Sequence, residues 1–199
     1  MPGETSPAFL RLFIAIAVPP EVREPIRRAQ SQLQRCVSPG AVRWTKPEQF
    51  HLTLKFLGDV PSEQLSAVEK SASAICAGFG SLNLRARGVG FFPGRHKPRV
   101  IWAGATDMEN RLEELHRHID EAMRPFAPAE KPGKFAGHIT LGRFKPGRRT
   151  GLEKLMERAE AQRNQSLGDW SAMDVEIVQC DLTSVGALHT PVASCRLTG

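Results

Sequence analysis

The chain has 199 residues, enough to bury a full core as one domain or as two closely joined lobes. Hydrophobic residues at 41% and charged residues at 24% exclude wholesale disorder. The net charge of +6 is uneven: residues 85–99 carry Arg85, Arg87, Arg95, Lys97 and Arg99, and residues 131–149 carry Lys131, Lys134, Arg143, Lys145, Arg148 and Arg149, neither with an acid. Such stretches are either solvated basic faces or a field for a phosphate-rich partner.

Residues 1–8 are expected to form a flexible tail. Leu10, Leu12, Ile14 and Ile16 alternate, which predicts a buried strand over 9–17. The same run mimics a signal peptide, but residues 1–8 hold no Lys or Arg and Arg11 interrupts the apolar stretch, so the strand is the better reading. Pro19-Pro20 opens a helix on which Val22, Ile26, Ala29, Leu33 and Cys36 recur at helical spacing. A turn at Ser38-Pro39-Gly40 leads to Trp44, a core residue by type, and to a strand ending at Gly58-Asp59. Residues 62–76 form a second helix, buried through Leu65, Val68, Ala72 and Ile75. Leu82, Leu84 and Ala86 alternate with polar residues in a half-exposed strand, a loop follows over 91–99, and 100–104 reads as a buried strand. Residues 107–123 form the clearest helix, with a stripe of Met108, Leu112, Leu115, Ile119 and Ala122. A proline-rich link through Pro125, Pro128 and Pro132 enters a strand over 135–144; a helix over 149–161 and strands at 173–178 and 182–186 complete the chain. Cys36, Cys76, Cys180 and Cys195 show no metal or redox spacing and suit the reduced thiols of a cytoplasmic protein. No apolar run reaches the length of a membrane span.

Two of these strands say the same thing. His51-Leu52-Thr53-Leu54 and His138-Ile139-Thr140-Leu141 share the pattern H-x-T-L. In a strand, His and Thr at i and i+2 point to one face and the intervening apolar residues to the other, toward a core. Each copy therefore offers an imidazole beside a hydroxyl on a rigid element. Imidazole exchanges protons near neutral pH, and a Thr hydroxyl donates to anionic oxygen. Two such pairs facing each other suit the breaking of a phosphodiester, one His taking the nucleophile's proton and the other supplying one to the leaving oxygen. A single copy would read as ordinary β-propensity; the repeat argues for one shared site. Two half-chains, each with strands and helices around one motif, predict an α+β fold with antiparallel pairing.

The chain resembles the 2H phosphoesterase superfamily, named for two H-x-T motifs, and within it the RNA 2′,3′-cyclic phosphodiesterase group, also called 2′-5′ RNA ligase and LigT- or ThpR-like. The resemblance rests on RLFIAI at 11–16, WTKPEQFHLTLKFLG at 44–58, RVIWAG at 99–104 and FAGHITLGR at 135–143. It fades over the last fifteen residues, onto which no function is carried. It implies one bilobal domain over 9–199, with two lobes of antiparallel sheet and flanking helices related by an approximate twofold, and an active-site cleft between them. It implies His51 and His138 as the acid–base pair, Thr53 and Thr140 as phosphate ligands, and nucleotide contacts from Phe56 by stacking and Arg143 by charge. Strand parity sets Phe56 and Arg143 opposite to His and Thr, so they reach a ligand only if the strand bends or ends first.

The implied reaction is hydrolysis of 2′,3′-cyclic phosphates on RNA ends or small nucleotides to 2′-phosphates, with reversible ATP-independent 2′-5′ ligation. By the same analogy His51 protonates the departing O3′ and His138 deprotonates the attacking water. No cofactor and no metal is expected, since the sequence offers no carboxylate cluster and His116 and His118 stand at i, i+2. Lys55-Phe56-Leu57-Gly58 lacks the Asp of an adenylating ligase motif, and Gly88-Val89-Gly90 meets Pro93 where a dinucleotide fingerprint needs its third Gly. The expected protein is a monomer with no membrane partner. A 2H enzyme acting on ADP-ribose cyclic phosphate or 2′-5′ oligoadenylate, or a non-catalytic RNA-binding protein, are the competing readings.

Overall fold

The structure, a computed structural model, describes residues 8–127, 135–146, 151–183 and 186–199. Lys131, Lys134, Arg148, Arg149, Pro128, Pro132 and all but the last residue of the expected tail lie outside the described residues. In chain order the elements are β1 (Phe9–Ala17), α1 (Pro20–Gln34), β2 (Val42–Trp44), β3 (His51–Pro61), α2 (Leu65–Cys76), β4 (Leu82–Phe92), β5 (Val100–Asp107), α3 (Arg111–Ala122), β6 (His138–Phe144), α4 (Leu152–Ala161), β7 (Ser166–Ala172), β8 (Asp174–Thr183) and β9 (Gly186–Arg196).

The strands form an antiparallel sheet in the order β7-β4-β5-β6-β3-β1-β8-β9, with β2 added along β6. The motif strands β3 and β6 meet at its centre, where the register pairs Leu52 with Ile139. Outward from that pair the sheet repeats itself, β6-β5-β4-β7 one way and β3-β1-β8-β9 the other. This is the twofold pair of lobes that the resemblance implies.

The lobes are not the two halves of the chain, however. Helix α1 follows β1 in sequence but packs on β7 and α4, and α3 follows β5 but packs more extensively on β3 and α2 than on β5. Each lobe borrows a helix from the other's strand, which corrects the expectation that each half-chain surrounds its own motif. Both borrowed helices press an apolar stripe on the sheet: Val22, Ile26, Ala29 and Leu33 from α1, and Leu112, Leu115 and Ile119 from α3, all buried.

Several boundaries differ from the sequence reading for identifiable reasons. Strand β4 runs on past Ala86 into the first two residues of the expected loop, ending at Phe92, because a bulge between Arg87 and Val89, with Gly88 at φ 69°, breaks the alternation without ending the strand. Helix α3 starts at Arg111 rather than 107: Asp107 ends β5, and its carboxylate accepts from the backbone N–H groups of Glu109, Arg111 and Leu112. Strand β7 escapes the sequence reading, since a register shift opposite Gly168 slips its alternation. For β9 the sequence predicts only 182–186, which also takes in the end of β8. It is an edge strand containing Pro191, and only Cys195 of its side chains is fully buried, so it carries little hydrophobic signal.

Both motif strands carry a bulge at the same letter. Opposite β1, Thr53 pairs with Ala15 and Lys55 with Ile14, so Leu54 is passed over. Opposite β5, Thr140 pairs with Trp102 and Gly142 with Ile101, so Leu141 is passed over. The freed Leu141 carbonyl accepts from the Thr45 N–H at 2.9 Å and from Gln30 Nε2 at 2.9 Å; the same Gln30 amide donates to the Thr45 carbonyl at 2.8 Å. Gln30 is 3% exposed, so its loss leaves buried carbonyls short of a donor. We expect Gln30→Leu to lower stability by about 1–3 kcal/mol in urea unfolding. An unchanged midpoint would show that the bulge does not depend on this side chain.

Candidate active site

The central register decides which side chains share a face. Leu52 and Ile139 are both fully buried on the helix side. Their neighbours His51, Thr53, His138 and Thr140 therefore all point to the opposite, concave side, each only partly buried. Because the strands are antiparallel about Leu52–Ile139, His51 faces the Thr140 side and Thr53 the His138 side. The two imidazole–hydroxyl pairs thus come together around one local twofold.

Each imidazole is held in the same way. His51 Nδ1 lies 2.8 Å from the Gln49 carbonyl, and His138 Nδ1 lies 2.8 Å from the Ala136 carbonyl. A carbonyl only accepts, so Nδ1 carries the hydrogen in both rings and Nε2 is the atom left for a ligand. Aromatic rings brace the other sides: Phe13 lies 4.8 Å from His51 between ring centroids, and Phe92 meets His138 edge-on at 5.0 Å.

The bulges answer the parity question for the flanking residues. After Leu54 the burial order reverses, with Lys55 buried against Asp120 (2.7 Å) and Phe56 52% exposed. After Leu141, Gly142 is buried and Arg143 exposed. Phe56 and Arg143 therefore return to the His–Thr face, at opposite ends of it; Phe56 is 6.0 Å from Phe13 between ring centroids. The sequence expectation that both lie on the far side holds only for an unbulged strand.

The surroundings depress both imidazoles. Burial pushes the His51 pKa down to about 4, opposed by the Gln49 hydrogen bond and reinforced by His189, His138 and Arg143. Burial and then Arg143 lower that of His138. The Arg143 guanidinium, exposed as a residue but partly desolvated at its head, is itself lowered from its ordinary value by that desolvation and by Arg43. Both shifts favour the neutral imidazole in the free protein.

Sequence reasoning missed several residues at this face. His189, on β9 within the fifteen residues given no role, meets His51 edge-on at 5.2 Å and Phe13 at 5.1 Å. Two residues earlier the Ala187 carbonyl accepts from Gln49 Nε2 at 2.5 Å, tying β9 to the residue that anchors His51. Trp102, opposite Thr140, lies on Gly90, where any Cβ would collide with its indole. Phe13, on β1, could have been found as the aromatic on the non-core parity of a buried strand.

Other candidates resolve as structural. Arg85 pairs with Asp169, Arg95 with Glu160, and Arg87 donates to the Asn164 carbonyl, so much of the 85–99 stretch is a solvated ion-paired face. His116 stacks on Phe135 and His118 meets Phe79 edge-on, both packing roles as expected. All four cysteines are free, and Trp44 packs on the core. Among the described residues no helix is long and apolar enough to cross a membrane.

Comparison with known proteins places this arrangement. The family model described as LigT like Phosphoesterase matches residues 16–102. The chain is 30% identical over 183 residues to an RNA 2′,3′-cyclic phosphodiesterase of Archaeoglobus fulgidus, covering 90% of this chain and 96% of the relative. It is 34% identical over 145 residues to the protein of that name from Thermus thermophilus, covering 68% and 69%. A crystal structure of a Thermus thermophilus protein superposes with a TM-score of 0.76 at 26% identity, over 96% of this chain and 99% of that one. With the paired motifs on a shared concave face and relatives matched over nearly their whole length, the chain belongs to the LigT-like phosphoesterase family.

Proposed function

We propose that the protein hydrolyses 2′,3′-cyclic phosphates on RNA ends or small nucleotides to 2′-phosphates by two-histidine acid–base catalysis, with reversible 2′-5′ ligation as the same chemistry run backwards. Cyclic phosphate hydrolysis is the activity that the family and the relatives' names support. The observation that carries the mechanism is the pairing of Leu52 with Ile139, which aims both anchored imidazoles and both hydroxyls at one volume. A phosphate held by Thr53 and Thr140 lies between two Nε2 atoms. One removes a proton from the attacking water and the other protonates the departing ribose oxygen. The protein acts without a metal, because the two imidazoles supply both proton transfers. It works in the cytoplasm as a monomer, one bilobal domain over residues 9–199.

Replacing either His51 or His138 by Ala should cost on the order of 10²–10⁴ in turnover of a 2′,3′-cyclic mononucleotide, while a chelator leaves the wild type active. Removal of one His with little loss, or activity abolished by chelator and restored by added metal, would defeat the paired mechanism.

The pH dependence follows from the depressed imidazoles. The active form carries one proton on the pair: below both pKa values the base is charged, and above both the acid is lost. With His51 at about 4 and His138 below its ordinary 6.5, kcat/KM should peak on the acid side of pH 6.5. Bound phosphate favours the charged imidazoles, so the kcat profile should lie at higher pH than that of kcat/KM. Coincident profiles centred above pH 7 would contradict this.

By family analogy His51 is the acid. Burial makes it the harder imidazole to charge, so the productive form is the minor singly protonated one in the free protein, and the phosphate's charge makes it accessible. With His51 protonating O3′, the phosphate stays on O2′. Phosphorus NMR of the product from a 2′,3′-cyclic mononucleotide should show the 2′-phosphate; a predominant 3′-phosphate would reverse the acid and base assignments.

A further inference from the structure

We infer that Arg43 and Arg143 form a second phosphate site, which takes the phosphodiester next to the reacting phosphate and makes an RNA end, rather than a lone mononucleotide, the preferred substrate. This rests on the phosphodiesterase reading above and deepens it.

The inference starts from a cross-strand pair. β2 is only three residues long, and its pairing with β6 sets Arg43 directly opposite Arg143. Side chains of directly opposed residues share a face, with Cβ atoms about 4.5–5.5 Å apart, and like charges so placed repel. Neither guanidinium takes part in an ion pair or a hydrogen bond among the described residues, whereas Arg85, Arg87, Arg95 and Arg111 elsewhere in the chain have partners. Both residues are exposed, so a ligand can reach them.

The pair is electrically continuous with the candidate active site. The Arg143 charge bears on both His51 and His138, and the Arg43 charge bears on Arg143. The bulge at Leu141 puts Arg143 on the His–Thr face, and the β2 register puts Arg43 beside it, on the edge of β6 that also meets β3. The opposite end of the face carries Phe56, Phe13 and His189 and, among the described residues, no such pair of opposed arginines. Aromatic rings flank both histidines, with Phe92 and Trp102 on the His138 side, so what sets the β6 end apart is its pair of cations. A nucleoside stacked on these rings with its cyclic phosphate at the histidines leaves the cations to a neighbouring phosphodiester. A 2′,3′-cyclic mononucleotide has no such group; an oligonucleotide does. Guanidinium fits it because it makes paired hydrogen bonds to phosphate oxygens.

The experiment compares two substrates, adenosine 2′,3′-cyclic phosphate and an ApA dinucleotide ending in a 2′,3′-cyclic phosphate. Wild-type kcat/KM should be higher for the dinucleotide. Arg43→Gln should lower kcat/KM for the dinucleotide about tenfold more than for the mononucleotide, and Arg43→Lys should recover part of the loss. Arg43→Gln should also flatten the salt dependence for the dinucleotide, by a slope of about 0.7 in log kcat/KM against log salt. An equal loss on both substrates, or no loss on either, overturns the second phosphate site and leaves the phosphodiesterase reading standing. Failure of the folded wild type to turn over either substrate overturns both.

Discussion

Leu52 and Ile139 face each other across the centre of the sheet, both without solvent exposure. Side chains alternate along a strand, so sliding either strand by one residue would bury a histidine and a threonine and expose leucine and isoleucine. Burying a large aliphatic side chain is worth about 1.5–3 kcal/mol, and an unpaired buried polar group is penalised by a similar amount. The hydrophobic core therefore specifies where the polar face lies. Chemistry that needs four side chains converging on one volume is held in place by two that never touch the ligand.

The bulges extend this logic. Each motif's final leucine drops out of the pairing, and the face that follows is exchanged. In one lobe that exchange brings forward Phe56 and in the other Arg143, so a near-symmetric scaffold presents an asymmetric surface. The same asymmetry reaches the imidazoles. His51 is closed in by Phe13 and by β9 through His189, whereas His138 meets Phe92 alone among the described rings. Identical backbone anchors at Nδ1 thus hold two rings in unequal surroundings.

Much of this was legible in the sequence because it depends on local alternation. The H-x-T-L repeat disclosed two strands, their inward and outward faces and the histidines; the stripes of α1 and α3 disclosed helices. What stayed hidden depends on pairing partners. A bulge at Leu54 or Leu141 leaves no mark on the chain itself, so parity assigned Phe56 and Arg143 to the wrong face. His189 lies on an edge strand with little apolar pattern, and its meaning comes from contact with a residue far away in sequence. The exchange of helices between lobes was invisible for the same reason, since an amphipathic stripe says that a helix is buried but not against which strands.

That exchange bears on how the protein is made. Helix α1 emerges early in synthesis, but one of the strands it covers, β7, comes only at Ser166–Ala172; the other lobe waits for β9, which ends at Arg196. Neither lobe can close as a unit while the chain is still short, and the apolar stripe of α1 must wait uncovered or held by provisional contacts until its partner strand appears. Folding is therefore weighted toward contacts distant in sequence, the slow end of the range for domains of this size. A chain stopped between the two motifs leaves two incomplete lobes rather than one finished half.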